Sequence, residues 1–207
     1  MYSFIYLASQ SPRRQELLKQ MGVQFELLLA KPGEDTELIE LSLANEKARD
    51  YVKRVTLAKS ALALERWKQS GKPWAPILCA DTTVSLPNSV DGEILGKPQD
   101  AADADRILRM LSGKAHEVLT AICIITESEN PALCQMQISQ VQFSKLSQEQ
   151  INHYIASGEP FGKAGAYGIQ GLGANFIPSI IGSYSGIMGL PIFEVNQLLD
   201  LAKVARA

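Results

Sequence analysis

The sequence predicts an α/β fold with a mixed central sheet flanked by helices. Helical and strand-like segments alternate through the first half, as in parallel strands joined by crossovers, and strand-like runs follow one another as hairpins later. At 207 residues and 46% apolar content, the chain can bury a sizeable core as one α/β domain over residues 1–207, which excludes the disordered and fibrous classes.

Residues 3–8 are apolar and β-prone, and Ser9-Gln10-Ser11-Pro12 breaks that strand and opens a helix. Ser11 suits the N-cap and Pro12 the first helical position, where its missing N–H costs nothing. Leu17, Leu18 and Met21 share one side of this helix, and Gly22 stops it before a second short strand at 24–29. Residues 31–43 are polar and acidic, with Glu34, Asp35, Glu37 and Glu40; a long helical pattern then runs from Asn45 to Gln69 and ends at Gly71 and Pro73. Residues 76–84 read as a buried strand, followed by a loop over 87–92 and a short strand leading into Gly96-Lys97-Pro98. A helix over 101–112 has Asp100 as N-cap, Ile107, Leu108 and Leu111 as its apolar face and Gly113 as its stop.

Residues 118–126 and 133–143 read as antiparallel partners. In the second, apolar residues fall at Cys134, Met136 and Ile138 and then at Val141 and Phe143, so the period of two slips once near Ser139-Gln140. A β-bulge is the expectation there. Residues 147–157 form a short helix with the capping box Ser147-x-x-Gln150. A glycine-dense stretch, 158–189, precedes a last amphipathic helix that Pro191 starts and Val195, Leu198, Leu199 and Ala202 line.

The balance of 20 Lys+Arg against 22 Asp+Glu, a net charge of −2, gives no footprint of a nucleic-acid binder, so any phosphate affinity is local. The N-terminal apolar run reaches a polar turn too early for a signal sequence or a membrane span, and the expectation is a cytoplasmic protein. Cys79, Cys123 and Cys134 lie in apolar runs without C-x-x-C spacing and read as ordinary buried thiols. Histidine is represented by His116 and His153 alone, which rules out a His-rich zinc site and leaves a hard cation held by carboxylates as the metal option.

Four groups carry chemical promise. Arg13 and Arg14 sit in the first turn of a helix, where the macrodipole disfavours each exposed cation by about 0.3–1 kcal/mol. With free backbone N–H groups and the serines Ser9 and Ser11 they would make an anion site, unless Glu16 or Glu26 pairs with them on the surface. Asp81 ends the apolar run 77–80, and a carboxylate so placed needs a cation or donors; metal ligation, a general-base role and the capping of Thr82 or Thr83 are the readings. Lys59 shares the inward helical stripe with Val52, Val55 and Leu62, Lys97 stands between Gly96 and Pro98, and Lys163 precedes Ala164-Gly165-Ala166. Each could snorkel, whereas together with the arginines and Asp81 they describe a triphosphate-and-metal pocket. In the run 165–171, small residues allow close backbone approach to a ligand and Gln170 offers donors and acceptors to a base edge, although a glycine turn beside a sheet would look the same. His116 reads as a structural hydrogen-bonding residue.

These residues and their order resemble the Maf-type nucleoside-triphosphate pyrophosphatases. The run Leu7-Ala8-Ser9-Gln10-Ser11-Pro12-Arg13-Arg14-Gln15-Glu16-Leu17-Leu18 is similar to the family's opening motif. The likeness continues through Tyr51-Val52 to Lys59, Asp81-Thr82-Thr83-Val84, Gly96-Lys97-Pro98, Leu111-Ser112-Gly113 to Thr120, Gly158-Glu159-Pro160 to Gly171, and Gly182-Ser183-Tyr184-Ser185 to Pro191. The resemblance implies a fold like that of inosine-triphosphate pyrophosphatases, with two lobes and a nucleotide cleft between them. It implies Asp81 as proton acceptor and metal ligand, a divalent cation (Mg²⁺ or Mn²⁺), and a second acidic ligand among Glu34, Asp35 and Glu37. Ser9, Ser11, Arg13, Arg14, Lys59, Lys97 and Lys163 would contact the substrate, and Arg13, Thr82 and Gln170 match the positions that select the base. The signature resembles the dTTP/UTP subgroup, acting also on modified pyrimidine nucleotides, rather than the 7-methyl-GTP subgroup. The resemblance further suggests a homodimer, and a rival role as a cell-division regulator acting by binding.

Overall fold

The structure, a computed structural model, describes residues 1–31, 34, 38–86, 93–127 and 131–206. Among these, seven strands form one mixed sheet of order β2-β1-β3-β5-β6-β7, with β4 paired to β3 off that path. The strands are β1 (Ile5–Leu7), β2 (Phe25–Leu27), β3 (Ile77–Leu86), β4 (Glu93–Leu95), β5 (Ala115–Ile125), β6 (Leu133–Gln142) and β7 (Ser179–Ile181). β1 runs parallel to β2 and β3, and the remaining pairs are antiparallel. The helices are α1 (Pro12–Gln20), α2 (Ala48–Lys68), α3 (Ala101–Leu111), α4 (Gln148–Ala156), α5 (Tyr184–Met188) and α6 (Ile192–Leu201).

Two apolar layers clasp the sheet. On one face α2 lays Tyr51, Val52 and Val55 against Leu119, Ala121, Met136 and Ile138, and its later turn packs Ala63 near Ile77 and Cys79. On the other, Leu17 and Leu18 of α1, Ile107, Leu108 and Leu111 of α3, Ile151 and Tyr154 of α4, and Val195, Leu198 and Leu199 of α6 share one core with Leu78, Ala80, Ile122 and Ile124. Burial of apolar surface on this scale is the main force holding the fold.

Helix boundaries follow the local signals. Pro12 opens α1, Asp100 accepts from the Asp103 N–H at 2.8 Å ahead of α3, and both halves of the Ser147/Gln150 box form ahead of α4. The Ser11 side chain makes no capping bond, although the residue stands at the N-cap. β7 and α5 arise inside the glycine-dense stretch, where no periodicity announced them.

Two expectations are corrected. β6 carries no bulge, because its register with β5 is unbroken from Ala115↔Gln142 to Ile124↔Leu133. Its apolar phase slips because different layers cover the two ends: Met136 and Ile138 face α2, while Val141 and Phe143 join the opposite core, and Ser139 between them turns to α5, donating to the Ser183 carbonyl at 3.1 Å. The cysteines are not three free thiols. Cys123 and Cys134 are direct cross-strand partners with Cα atoms 4.1 Å apart and form a disulfide, leaving Cys79 as the buried free thiol.

Candidate active site

The sheet opens a cleft where β1 stops short of its neighbour. β1 pairs with β3 only at Ile77 and Leu78, and β4 takes up the same edge of β3 from Val84 onward. The stretch of β3 between them has a strand on its β5 side alone. Along this gap lies a cleft of about 870 Å³, walled by the β1–α1 turn, α2, the residues after β4, and segments 162–170 and 187–189. Its volume is in the range of small-molecule sites.

Strand alternation then sorts the chemistry. Asp81 shares the α2 side with Ile77 and Cys79 and is 8% exposed, and Thr82 points to the α1 side. Lys59, brought inward by its place on the α2 stripe, sets its Nζ 2.6 Å from Asp81 Oδ1 and 2.7 Å from Glu40 Oε1. Glu40 Oε2 in turn accepts from Lys97 Nζ at 2.7 Å. The result is a row of alternating charges, Asp81, Lys59, Glu40 and Lys97, across the cleft. Burial opposes ionisation of Glu40, but Lys59 and Lys97 outweigh it and hold its carboxyl below the usual range. A 3-10 turn, Leu38–Glu40, presents this residue, and α2 pins the turn: Tyr51 donates its hydroxyl to the Glu40 carbonyl at 2.8 Å, and Arg54 donates to the carbonyls of Ile39 and Leu41.

The two arginines divide their work. Arg14 donates through Nε to the Gly189 carbonyl at 2.8 Å, through Nη1 to Ala80 O at 2.9 Å and Ser9 Oγ at 3.1 Å, and through Nη2 to Thr82 Oγ1 at 3.3 Å. Its fork is therefore spent inside the protein, tying α1, the open edge of β3 and the C-terminal end of α5 together. Arg13 gives only Nε, to Met188 O at 3.3 Å, so its two terminal nitrogens face no protein acceptor among the described residues. The carbonyls that end α5 thus supply the compensation that a cation pair in the first turn of α1 requires. Burial lowers the pKa of both. Thr82 Oγ1 also meets Thr120 Oγ1 at 2.9 Å, and Thr120 donates onward to Gly186 O at 2.8 Å.

The other residues singled out from sequence fall as follows. Ser9, Ser11, Lys163 and Gln170 line the cleft, and Ser9 Oγ accepts from the Ser11 N–H at 3.2 Å. Lys163 donates to the Glu159 backbone carbonyl. Glu34 pairs with Arg66, which lines the cleft, but is not itself among the lining residues. Asp35 and Glu37 lie outside the described residues. Among the described residues of the acidic segment, Glu40 is the carboxylate that lines the cleft, and its membership of that segment is the signal that the sequence offers. Among the described residues no three His, Cys, Asp or Glu cluster as metal ligands. His116 is buried with Nε2 2.8 Å from the Tyr167 hydroxyl, a structural contact. No helix among the described residues is long and apolar enough to cross a membrane.

Comparison with known proteins adds relatives. The family described as "Maf-like protein" matches residues 4–202. A protein of Ralstonia nicotianae named dTTP/UTP pyrophosphatase is 56% identical over 200 residues, 97% of this chain and 94% of its own. Proteins of the same name from Burkholderia orbicola and Albidiferax ferrireducens are each 54% identical, covering 99% and 97% of this chain and 96% and 97% of theirs. The solved structure of the Staphylococcus aureus Ham1 protein aligns with 72% of this chain and 88% of its own at TM-score 0.43 and 14% identity, a likeness too low to carry an argument.

Proposed function

The chain belongs to the Maf-like family, and on that premise we propose that it hydrolyses dTTP and UTP to the monophosphate and pyrophosphate, clearing nucleotides from the cytoplasmic pool. The observation that carries the reading is the single ammonium of Lys59 held between the carboxylates of Asp81 and Glu40, at 2.6 and 2.7 Å, on the floor of a cation-walled cleft.

Asp81 is the proton acceptor in this reading. Lys59 engages Oδ1 and so orients the carboxylate, and the other oxygen takes the proton of the attacking water. That water adds to the α-phosphorus, the bond from that phosphorus to the α–β bridging oxygen breaks, and pyrophosphate leaves with the electron pair. Arg13 and Lys97 stabilise the charge that builds on the leaving phosphates, while Arg14 keeps the opposing walls of the cleft in place. Ser9, Ser11 and Lys163 complete the polar lining, and Thr82 and Gln170 meet the base. Gln170 suits this because an amide supplies both a donor and an acceptor to a pyrimidine edge.

The donor set fits a hard divalent cation. Asp81 and Glu40 are the two carboxylates that would hold it, and Mg²⁺ or Mn²⁺ characteristically takes one or two carboxylates plus substrate phosphate. Such an ion supplies charge neutralisation on the phosphates when bound. The test is a nucleotide panel with Mg²⁺ or Mn²⁺ and pyrophosphate detection. dTTP and UTP are expected to exceed GTP, ATP and 7-methyl-GTP, and orthophosphate as first product or a purine preference would overturn the proposal.

A further inference from the structure

One carboxylate outside the cleft holds both ends of the loop that carries Gln170. Glu159, just beyond α4, accepts through Oε1 from the Tyr154 hydroxyl at 2.8 Å and the Gly173 N–H at 3.0 Å, and through Oε2 from the Leu172 N–H at 2.8 Å. The Tyr154 hydroxyl accepts in turn from the Gly168 N–H at 3.1 Å. The loop is thus fastened before and after Gln170 by a single carboxylate–phenol pair. Its backbone packs directly onto that pair: a Cβ at Gly171 would stand 2.3 Å from Glu159 Oε2, and one at Gly173 would stand 2.8 Å from the Tyr154 hydroxyl. Glu159 also receives Lys163 on its own backbone carbonyl.

Neither Glu159 nor Tyr154 lines the cleft, whereas Gly168, Ile169 and Gln170 do. Burial works against the Glu159 charge, yet the amides of Gly173 and Leu172, the Tyr154 hydroxyl and Lys163 hold its carboxyl below the usual range, so it stays an acceptor for all its donors near neutral pH. The cations at the opposite walls hang on other elements: Arg13 on α1 and Lys97 on the segment after β4.

Resting on the functional reading above, we propose that Glu159, with Tyr154, is a positioning residue that sets base selectivity by fixing the 168–173 loop, and so the Gln170 amide, against the nucleobase. The carboxylate itself touches no substrate. Its replacement loosens the base end of the site and leaves the phosphate end as it was.

The experiment measures kcat and KM for dTTP and GTP, and the inhibition constant of inorganic tripolyphosphate as a base-free competitor, in wild type, Glu159→Gln, Tyr154→Phe, Gln170→Ala and the Glu159→Gln/Gln170→Ala double variant. Glutamine keeps the shape of Glu159 but sets an NH₂ against a backbone N–H, breaking one arm of the clamp. We expect KM for dTTP to rise about tenfold with kcat within about threefold, the dTTP-over-GTP ratio to fall, and tripolyphosphate inhibition to stay unchanged. The double variant is expected to be no worse than Gln170→Ala alone, since the two act as one unit. An unchanged dTTP-over-GTP ratio in the variants, additive losses in the double variant, or an equal weakening of tripolyphosphate would each overturn the inference. If Glu159→Gln does not fold, Tyr154→Phe, which removes a single hydroxyl, decides it on the same criteria. Wild-type protein that shows no preference for dTTP over GTP would overturn the functional reading itself, and the inference with it.

Discussion

Replacing Asp81 by asparagine separates chemistry from architecture, because the substitution keeps the shape and removes only the charge and the proton-accepting capacity. In the structure Lys59 Nζ lies 2.6 Å from Asp81 Oδ1 and 2.7 Å from Glu40 Oε1. The asparagine oxygen still accepts from Lys59, and Glu40 still neutralises it, so no buried cation is stranded. The structural loss is that of a charge-assisted bond becoming a neutral one, about 1 kcal/mol, or about 2–4 °C in melting temperature for a chain of this size. The catalytic loss has a different scale: general-base catalysis is worth about 10²–10⁴ in rate, or roughly 3–5 kcal/mol of barrier. Activity is thus expected to fall about a hundredfold or more while the protein stays folded at assay temperature. Pyrophosphate release under saturating dTTP, with thermal unfolding followed in parallel, measures both. A variant that keeps more than about a tenth of wild-type kcat falls below the general-base range and would move the proton acceptor to Glu40. A large drop in melting temperature with activity lost in proportion would instead make Asp81 a structural aspartate.

Three further outcomes follow from the same geometry. Glu40→Gln is expected to raise the Mg²⁺ concentration for half-maximal activity by at least the ~10-fold that loss of even an outer-shell partner costs; an unchanged Mg²⁺ titration would remove Glu40 from the metal. Arg14→Lys is expected to lower stability by about 2–4 kcal/mol, since a point ammonium cannot serve the Gly189, Ala80, Ser9 and Thr82 acceptors that a planar fork serves. A melting temperature within about 2 °C of wild type would refute this. Burial pushes the His116 pKa from 6.5 down to about 4 on folding, so the unfolded chain takes up the proton first as pH falls. The neutral imidazole then contributes about 3 kcal/mol that is fully present above pH ~6.5 and is lost as pH drops towards ~4. Urea unfolding at two pH values spanning that window is expected to show a shallower pH dependence in His116→Gln, and equal slopes in both proteins would refute the assignment.

How much of this fold the sequence disclosed depends on how local each signal is. The starts of α1, α3 and α4 were legible because a cap is decided within four residues: Pro12, the Asp100 side chain and the Ser147/Gln150 pair act on their own first turn. The β6 slip misled because period-two patterning reports which layer covers a strand, not whether its ladder is continuous. Here Met136 and Ile138 answer to α2 and Val141 and Phe143 to the opposite core, so an unbroken strand changes phase. The pairing of Cys123 with Cys134 has the same origin, since it follows from a β5–β6 register that spacing alone does not fix. β7 and α5 are too short to show a period. α5 is held instead by a Ser183 cap onto the Gly186 N–H and by the contact of Ser183 with Ser139, a residue on another strand.

At the site, a residue was legible when its oddity could be stated against its own element. Lys59 breaks an apolar helical stripe and Asp81 ends an apolar strand, and each oddity points to the other, because α2 packs on the face of β3 that carries Asp81. Arg14 was legible only as a problem, a cation at the wrong end of a helix; its solution lies 175 residues away in the carbonyl of Gly189. Glu40 was the hardest case. The acidic segment offers several carboxylates with no period to rank them, and rank is assigned by α2, whose Tyr51 and Arg54 pin the carbonyls of Ile39, Glu40 and Leu41. Those two side chains bond backbone carbonyls, which no charge pattern in the sequence displays, yet they fasten the turn that brings Glu40 to Lys59. A carboxylate in an irregular segment is therefore selected by whatever fastens its backbone, and that fastening is tertiary.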